Sequence, residues 1–542
     1  MKGSRILTAS DRALLVESDD LTSSMALHHA LEGADLPGVV ELIPAARTIL
    51  VRYDPLRTTA ADLSARIRAT PVTSAATTSG DVVTVPVVYD GEDLADVAEL
   101  LHLSSEEVVA RHTGATWQVA FTGFAPGFGY LVCDDPIFDV PRRASPRTRV
   151  PAGSVGLAGL FSGVYPRASP GGWQLIGRTE ATLWDLHRDP PALFVPGTTV
   201  RFEAVDPVDL DTHDASAVLV DQRPTNRRIE VVRAPLPVLV QDLGRAGHAA
   251  LGVSASGAAD RISARTANRA VGNSEDAAVL ELIGGGVVLR FTAETVAAVT
   301  GAAATLTLTT DDGTKVPITL GAPFAVEAGD ELTVGAPAAG LRTVVGIRGG
   351  IVDEPALGSR ATDTLAGLGP EPRTAGSWID FGDPHRAPSA VHPGPAPTTE
   401  LPRTGEVTTL EITLGPRDDW FTAAGLTALT EQDWQVTPRS DRVGIRLHGE
   451  RPLERAREGE LPSEGAVTGA IQVPPDGQPV LFLADHPLTG GYPIIGAVTD
   501  RCLDLAGQLP PGALVRFCVE RGGRPPRTPD TSLGSSHQPH ED

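Results

Sequence analysis

The sequence predicts a mainly β chain with some α+β character: a small α+β unit at the N-terminus leading into a series of β-barrel domains. Three observations carry this reading. Glycine and proline account for 57 and 46 of 542 residues while aromatic residues make up only 4%, a balance that suits short strands joined by many turns. Outside a few short amphipathic stretches the chain shows no sustained helical period. The third observation is an internal echo. Val150-Pro151 is followed by Gly171-Gly172-Trp173-Gln174-Leu175-Ile176-Gly177, and Val473-Pro474 by Gly490-Gly491-Tyr492-Pro493-Ile494-Ile495-Gly496. Pro196-Gly197-Thr198-Thr199-Val200-Arg201-Phe202 closes the first copy as Pro511-Gly512-Ala513-Leu514-Val515-Arg516-Phe517 closes the second. A repeat spaced by roughly 320 residues is far outside solenoid and propeller periods, so it points to duplicated domains.

Taken in order, residues 1–78 read as strand, strand, helix, hairpin, helix, an order that suggests a small sandwich of ferredoxin-like style. His28 and His29 fall in its first helix without metal-ligand spacing. Residues 79–206 form a predominantly β domain. It opens with a strand in VVTVPVVYD, followed by a helix pair over 95–114, where Ser104-Ser105 before Glu106-Glu107 is a capping-box start signal. His112 ends that pair, where either a protonated ring at the helix C-terminus or a site role is open. Residues 207–227 read as a linker, and 228–382 as a second β domain. Within it a helix from Asp260 to Val271 follows Gly-rich backbone that either offers amides to an anion or is an ordinary glycine cap. Consecutive hairpins are expected between Val296 and Pro337. The proline-rich stretch 383–400, with His385 and His392, is expected to join two halves without folding. Residues 401–520 form the last β domain, and 521–542 a disordered tail.

Composition excludes several function classes. A net charge of −23 opposes long-range attraction to nucleic acid or anionic membranes. The three cysteines are widely separated, which suits a reducing compartment and argues against structural zinc. No signal-like segment and no run of eighteen apolar residues is present, so a cytoplasmic location is expected.

The stretch Gly123–Thr179 is the densest in chemistry: GFAPGFGYL, PRRASPRTRVPAGSVG and YPRASPGGWQLIGRT. Glycines permit close backbone approach, prolines stiffen the turns, and Arg142, Arg143, Arg147, Arg149 and Arg178 gather guanidiniums in an otherwise acidic chain. The arginines either bind an anionic substrate or pair with surface acids.

These three motifs resemble the B-type subunit of bacterial 5-oxoprolinase, the Kip-type inhibitor or allophanate hydrolase subunit 1 family. VQDLGRAGHAALGVSASGAAD, TANRAVGN, LRTVVGIRGGI, GSRATD, SDRVGIRLHGE and GAIQVPPDGQPVLFLADHPLTGGYPIIG resemble the C-type subunit, the carboxyltransferase-domain family. The chain thus resembles a natural B–C fusion. The resemblance implies cyclophilin-like barrels, one in the B part and two in the C part, so three in all after the ferredoxin-like domain. It also implies ATP-dependent opening of 5-oxo-L-proline to L-glutamate with the A-type subunit of 5-oxoprolinase as a separate chain. The route is phosphorylation of the amide oxygen, with ATP and Mg²⁺ as cofactors. Two alternatives belong to the same resemblance. One is carboxyl transfer to urea or a related amide from a biotin carrier in trans. Covalent biotin within this chain is not expected, since Met1 and Met25 are its only methionines and no Met-Lys-Met carrier motif exists. The other is a regulator that binds a histidine kinase. A homo-oligomer is compatible with all three.

By motif matching, Arg142, Arg143, Arg147 and Arg178 are expected to bind phosphate or substrate carboxylate, with Gly171, Gly172 and Trp173 shaping the pocket. Asp242, Asp260 and Asp441 are the candidate catalytic acids or metal ligands. Gln241, Arg245, Ser256, Asn268, Arg348, Ser440, Arg442, Arg446, Gln472 and Tyr492 complete the set. No triad or ligand spacing singles out one of them or identifies a metal. Each Arg or Asp could equally be a buried pair that holds a loop.

Overall fold

The structure, a computed structural model, describes residues 5–72, 82–207 apart from 144 and 146, 226–392, and 400–520 apart from 460. The expected linker 207–227 and the tail 521–542 fall almost wholly outside these residues. The chain is mainly β, with seven α-helices among the described residues.

The N-terminal strands run Arg5–Ser10, Ala13–Glu17, Thr48–Tyr53, Val39–Pro44 across one antiparallel sheet. Both of its faces are covered, which is why Ala13–Glu17 runs through four consecutive apolar residues, ALLV, before its terminal Glu17. Leu14, Val16, Ile49 and Val51 pack under helices Leu21–Gly33 and Ala60–Ala69 through Leu27, Leu31, Leu63 and Ile67. Leu7, Leu15, Ile43 and Leu50 face the other way, against Val467, Phe482, Leu488 and Ile494 of the last domain. The N-terminal unit is thereby docked on the C-terminal barrel.

In the first barrel the strand order is Gln174–Arg178, Ser154–Ala158, Phe161–Val164, Gly129–Val132, Trp117–Thr122, Thr199–Ala204, Val82–Val87, and a bridge between Val88 and Arg178 ties the last strand to the first. Helices Leu94–Leu100 and Ser105–Gly114 precede Trp117, and the Ser104–Glu107 capping box forms as expected. His112 departs from its protonated reading. It is fully buried, with Tyr89 Oη 2.7 Å from Nδ1 and Ser162 Oγ 3.0 Å from Nε2. Burial drives its pKa down to about 3, so the ring is a neutral core group.

The middle region consists of two facing sheets. Seven strands include Arg228–Arg233, Val287–Phe291 and Glu331–Pro337, and five include Val279–Ile283, Arg342–Ile347 and Thr295–Gly301. Their core holds Val231, Leu289, Phe291, Val299, Leu332 and Val345. The expected run of consecutive hairpins is interrupted: Thr295–Gly301 lies in the five-stranded sheet and the next strand, Ala304–Thr309, in the other. Helix Arg261–Val271 packs outside the five-stranded sheet so closely that a Cβ on Gly346 would stand 2.9 Å from the Ala267 backbone. Residues 383–392, expected to be unstructured, are strapped over that helix's end by bonds from Ser389 N to Gly272 O and His392 N to Ala270 O.

A closed barrel ends the fold, in the order Val407–Leu414, Ile494–Val498, Ala470–Gln472, Val480–Phe482, Gly444–His448, Trp434–Val436, Leu514–Val519. Helix Asp500–Gly507, with Thr499 at its N-cap, packs beside it. Arg442 pins this barrel to the middle region. Wholly buried, it binds Asp485 at 2.9 Å, Glu281 at 2.6 Å and Gly257 O at 2.6 Å. Removing one member would strand a buried charge at a cost of roughly 3–5 kcal/mol.

Candidate active site between the two barrels

The two Gly-Gly loops of the internal echo come together in space. Between them lies a cavity of about 410 Å³, walled on one side by Phe124, Phe128, Tyr130, Tyr165 and Trp173 and on the other by Ser463, Gln472, Thr489 and Tyr492, with Leu365 of the middle region at one edge. Two of these glycines make close approaches to side chains. A Cβ on Gly171 would stand 2.3 Å from Tyr165 Oη, and one on Gly490 2.6 Å from Gln472 Nε2. The aromatic wall is a rigid edge-to-face cluster: Phe128 meets Trp173 at 5.3 Å and 88°, and Tyr165 at 5.3 Å and 74°. Phe124 holds a left-handed backbone at φ +64°, strain that a bulky side chain adopts only when its surroundings force it.

Three guanidiniums line the cavity, Arg142, Arg143 and Arg167, and no carboxylate does so among the described residues. Arg142 crosses to the opposite barrel, its Nη1 3.9 Å from where a Cβ on Gly491 would stand. Arg143 is anchored: its backbone amide donates to Gly172 O at 2.9 Å and its guanidinium pairs with buried Asp93. Arg147 lies behind the cavity wall, 2.8 Å from Asp93 and 3.0 Å from Glu92. Burial pushes the Asp93 carboxyl up, but Arg147, the Leu175 amide and Arg143 outweigh it and hold the pKa below its ordinary value. Arg167 is half-buried and makes no side-chain hydrogen bond or ion pair among the described residues. Burial lowers its pKa, an effect that the nearby Asp363 opposes.

Of the residues singled out from sequence, Arg142, Arg143, Gly171, Gly172, Trp173, Gln472 and Tyr492 line the cavity together. The remainder lie elsewhere. Arg178 pairs with Asp90 on the surface. Asp242 accepts from Gly244 N, Ser359 Oγ and Arg360 N, so it organises a turn. Asp260 caps helix Arg261–Val271 and accepts from Gln508. Asp441 is exposed and accepts from Val443 N and Gly444 N. Ser440 accepts from Arg446 N, and Arg446 is exposed. Gln241, Arg245, Asn268 and Arg348 donate to backbone carbonyls, and Ser256 and Arg442 bind Asp485. Of the two readings left open for the helix start, an anion site or an ordinary cap, the structure shows the protein's own carboxylate there: Arg261 N donates to Asp504 Oδ1 at 2.7 Å.

Sequence reasoning missed Arg167, Tyr130, Tyr165, Ser463 and Thr489. Arg167, Tyr130, Tyr165 and Thr489 were within reach, inside YPRASPGGW, GFAPGFGYL and LTGGYPIIG; Ser463 became visible only when the barrels met.

Comparison with known proteins fits this layout. A family described as carboxyltransferase domain, subdomain C and D, matches residues 4–194, and one described as carboxyltransferase domain, subdomain A and B, matches 251–519. The chain is 45% identical over 172 residues to the B subunit of 5-oxoprolinase from Escherichia coli O157:H7, 31% of this chain and 79% of that protein. It is 32% identical over 294 residues to the C subunit of 5-oxoprolinase from Escherichia coli K12, 53% of this chain and 90% of that protein. Urea amidolyase of Lachancea kluyveri is 33% identical over 306 residues, 51% of this chain and 16% of the much longer enzyme. Among solved structures, that of TTHA0988 superimposes with a TM-score of 0.80 at 35% identity, covering 94% of this chain and 99% of the other. A B-like part therefore precedes a C-like part in a single chain, which belongs to the carboxyltransferase-domain family that includes the B and C subunits of 5-oxoprolinase.

Proposed function

We propose that the chain is the B–C component of an ATP-dependent 5-oxoprolinase, and that the cavity between the barrels binds 5-oxo-L-proline for hydrolysis to L-glutamate together with a separate A-type subunit. One observation carries this reading: the two duplicated loops, remote in sequence, build one cavity that combines the Arg167 guanidinium with a flat aromatic wall and neutral hydrogen-bonding groups. A small ring bearing a carboxylate matches that division. Arg167 and Arg142 take the carboxylate or a phosphoryl group as charge-assisted partners, the Phe128–Tyr165–Trp173 wall stacks the ring and excludes water, and Gln472, Ser463 and Thr489 hold the lactam amide. Negative charge on the transferring phosphoryl group would fall beside the guanidiniums of Arg142 and Arg167, the kind of electrostatic arrangement that contributes most to such steps. The donor set does not fit Mg²⁺, which takes hard oxygen ligands and at least one carboxylate, so no step is assigned to a metal here. In this reading the barrels keep the cyclophilin-like layout and the first unit the ferredoxin-like layout expected of the family, while Asp242, Asp260 and Asp441 serve as scaffold.

The likeness to urea amidolyase supports a second reading, carboxyl transfer to a urea-type amide from a biotin carrier in trans. The two separate in one assay. The purified chain is mixed with its cognate A-type subunit, ATP and Mg²⁺, and 5-oxoproline-dependent glutamate and ADP are followed with each component omitted in turn. Glutamate formed only in the complete mixture supports the first reading. Carboxylation of urea by a biotinylated carrier, with no glutamate, would replace it with the second.

A further inference from the structure

A second cavity, of about 220 Å³, opens where three parts of the chain meet: the turn that carries Arg12, the start of helix Arg261–Val271, and the C-terminal barrel with its helix Asp500–Gly507. It shares no lining residue with the cavity between the Gly-Gly loops. Its charged lining is Arg12, Arg261 and Arg265 against Asp500 and Asp504.

The two acids are already engaged. Asp500 pairs with Arg12 at 2.7 Å, and Asp504 accepts the Arg261 backbone amide. Arg265 lines the cavity, with its Nε 3.8 Å from a Glu275 carboxylate oxygen. What remains is the Arg261 guanidinium, half-buried, with no side-chain hydrogen bond or ion pair among the described residues. Burial lowers its pKa; Asp504 and Asp500 oppose the shift, while Arg52 and Arg265 add to it. A partly desolvated group with five donors and no acceptor is costly unless an anion meets it. The helix amides do not supply the recognition, because Asp504 and the Asp260 cap occupy them. The cavity is smaller than the roughly 300 Å³ at which pockets for drug-sized ligands begin.

We propose that this cavity binds a phosphate-sized oxyanion, gripped by Arg261 and Arg265. Since its walls come from three separate parts of the chain, occupancy also clamps those parts together, and the anion stabilises the fold by mass action. The oxyanion is either free phosphate or the terminal phosphoryl group of a longer molecule.

The test titrates inorganic phosphate into the full chain at constant ionic strength by calorimetry, for the wild type and for Arg261→Gln, Arg265→Gln and Arg142→Gln. Phosphate affinity should fall about tenfold or more in Arg261→Gln and by a smaller factor in Arg265→Gln, and should persist in Arg142→Gln. Competition by ATP at lower concentration than phosphate identifies a phosphorylated molecule as the source, and its absence identifies free phosphate. Should Arg261→Gln fail to fold, Arg265→Gln and a phosphate-soaked crystal of the wild type decide the matter. Equal affinity in the wild type and the Arg261 and Arg265 variants, loss of all binding in Arg142→Gln, or an empty second cavity in the soaked crystal would each overturn the proposal.

Discussion

The first and last barrels are built alike and supported by opposite charges. In each, the first strand pairs in parallel with the last, Val82–Val87 with Thr199–Ala204 and Val407–Leu414 with Leu514–Val519. In each, a helix leads to a tryptophan whose indole donates 3.0 Å back to that helix: Trp117 to His112 O, Trp434 to Leu429 O. These tryptophans also share a register, opposite Val200 and Val515. Beneath the Gly-Gly loops the match turns into a reversal. Asp93 and Arg417 take equivalent places, their amides donating 2.9 Å to Leu175 O and Ile494 O. Arg147 and Glu464 do too, opposite Gly171 and Gly490. One copy therefore holds its loop with Asp93–Arg147, and the other with Arg417–Glu464. Positions that keep their partner while swapping sign are props for the loop. Residues whose character differs without compensation are the ones left for function. Arg167 stands four residues before Gly171, as His486 does before Gly490; the arginine lines the cavity, whereas the imidazole is buried, stacked on Phe482, its pKa lowered by burial to about 4.

The largest effect should come from breaking the more buried prop. Arg417 is only 5% exposed and also binds Glu17 at 2.8 Å, so Arg417→Leu should cost roughly 3–5 kcal/mol in denaturant unfolding, because it leaves Glu464 buried and alone. Arg147→Leu should cost less, since Arg143 still pairs with Asp93. If the two losses came out reversed, the equivalence of the props would be wrong. Next in size, Trp117→Phe and Trp434→Phe should each lose a similar amount, about 1–2 kcal/mol from one buried hydrogen bond and some packing; a clear inequality would break the symmetry of the scaffold.

His112 sharpens the comparison through pH. Its counterpart is Leu429, and its folded-state pKa of about 3 lies below the ordinary 6.5. The unfolded chain thus takes up a proton that the folded chain does not. The stabilising contribution is complete above pH 6.5 and is lost as pH falls toward 3. His112→Leu combined with Tyr89→Phe and Ser162→Ala should flatten that part of the acid unfolding curve, leaving the part due to His486. An unchanged curve would mean that His112 is not the neutral core group described above. The smallest effect on stability is expected at Arg167: Arg167→Gln should change unfolding by no more than about 0.5 kcal/mol.

Much of this architecture was legible in the sequence, and the reasons are local. The echo is carried by Gly171 and Gly490, each of which closely approaches a side chain, Tyr165 and Gln472, and helix starts such as Ser104–Glu107 and Asp260 are written in their caps. The site was only half legible. Arg142, Gly172 and Trp173 sit in one dense stretch, but Ser463 and Thr489 join them through barrel docking, which leaves no periodic trace. The aspartates drew attention by type, yet Asp242 and Asp260 spend their oxygens on turns and caps, the commonest use of short carboxylates next to backbone amides. The strap at 383–392 was hidden because proline-rich composition describes a stretch's own preference and says nothing of the helix beneath it.

The central claim is that the cavity between the barrels, through its unmatched arginine, holds the anionic substrate. The most direct measurement is equilibrium binding of 5-oxo-L-proline to the full chain with the proposed A-type partner, comparing the wild type with Arg167→Gln and the surface control Arg178→Gln. Binding weakened about tenfold or more by the first and unaffected by the second, with unfolding curves superimposable, is the result this account predicts. Unchanged affinity in Arg167→Gln would contradict it.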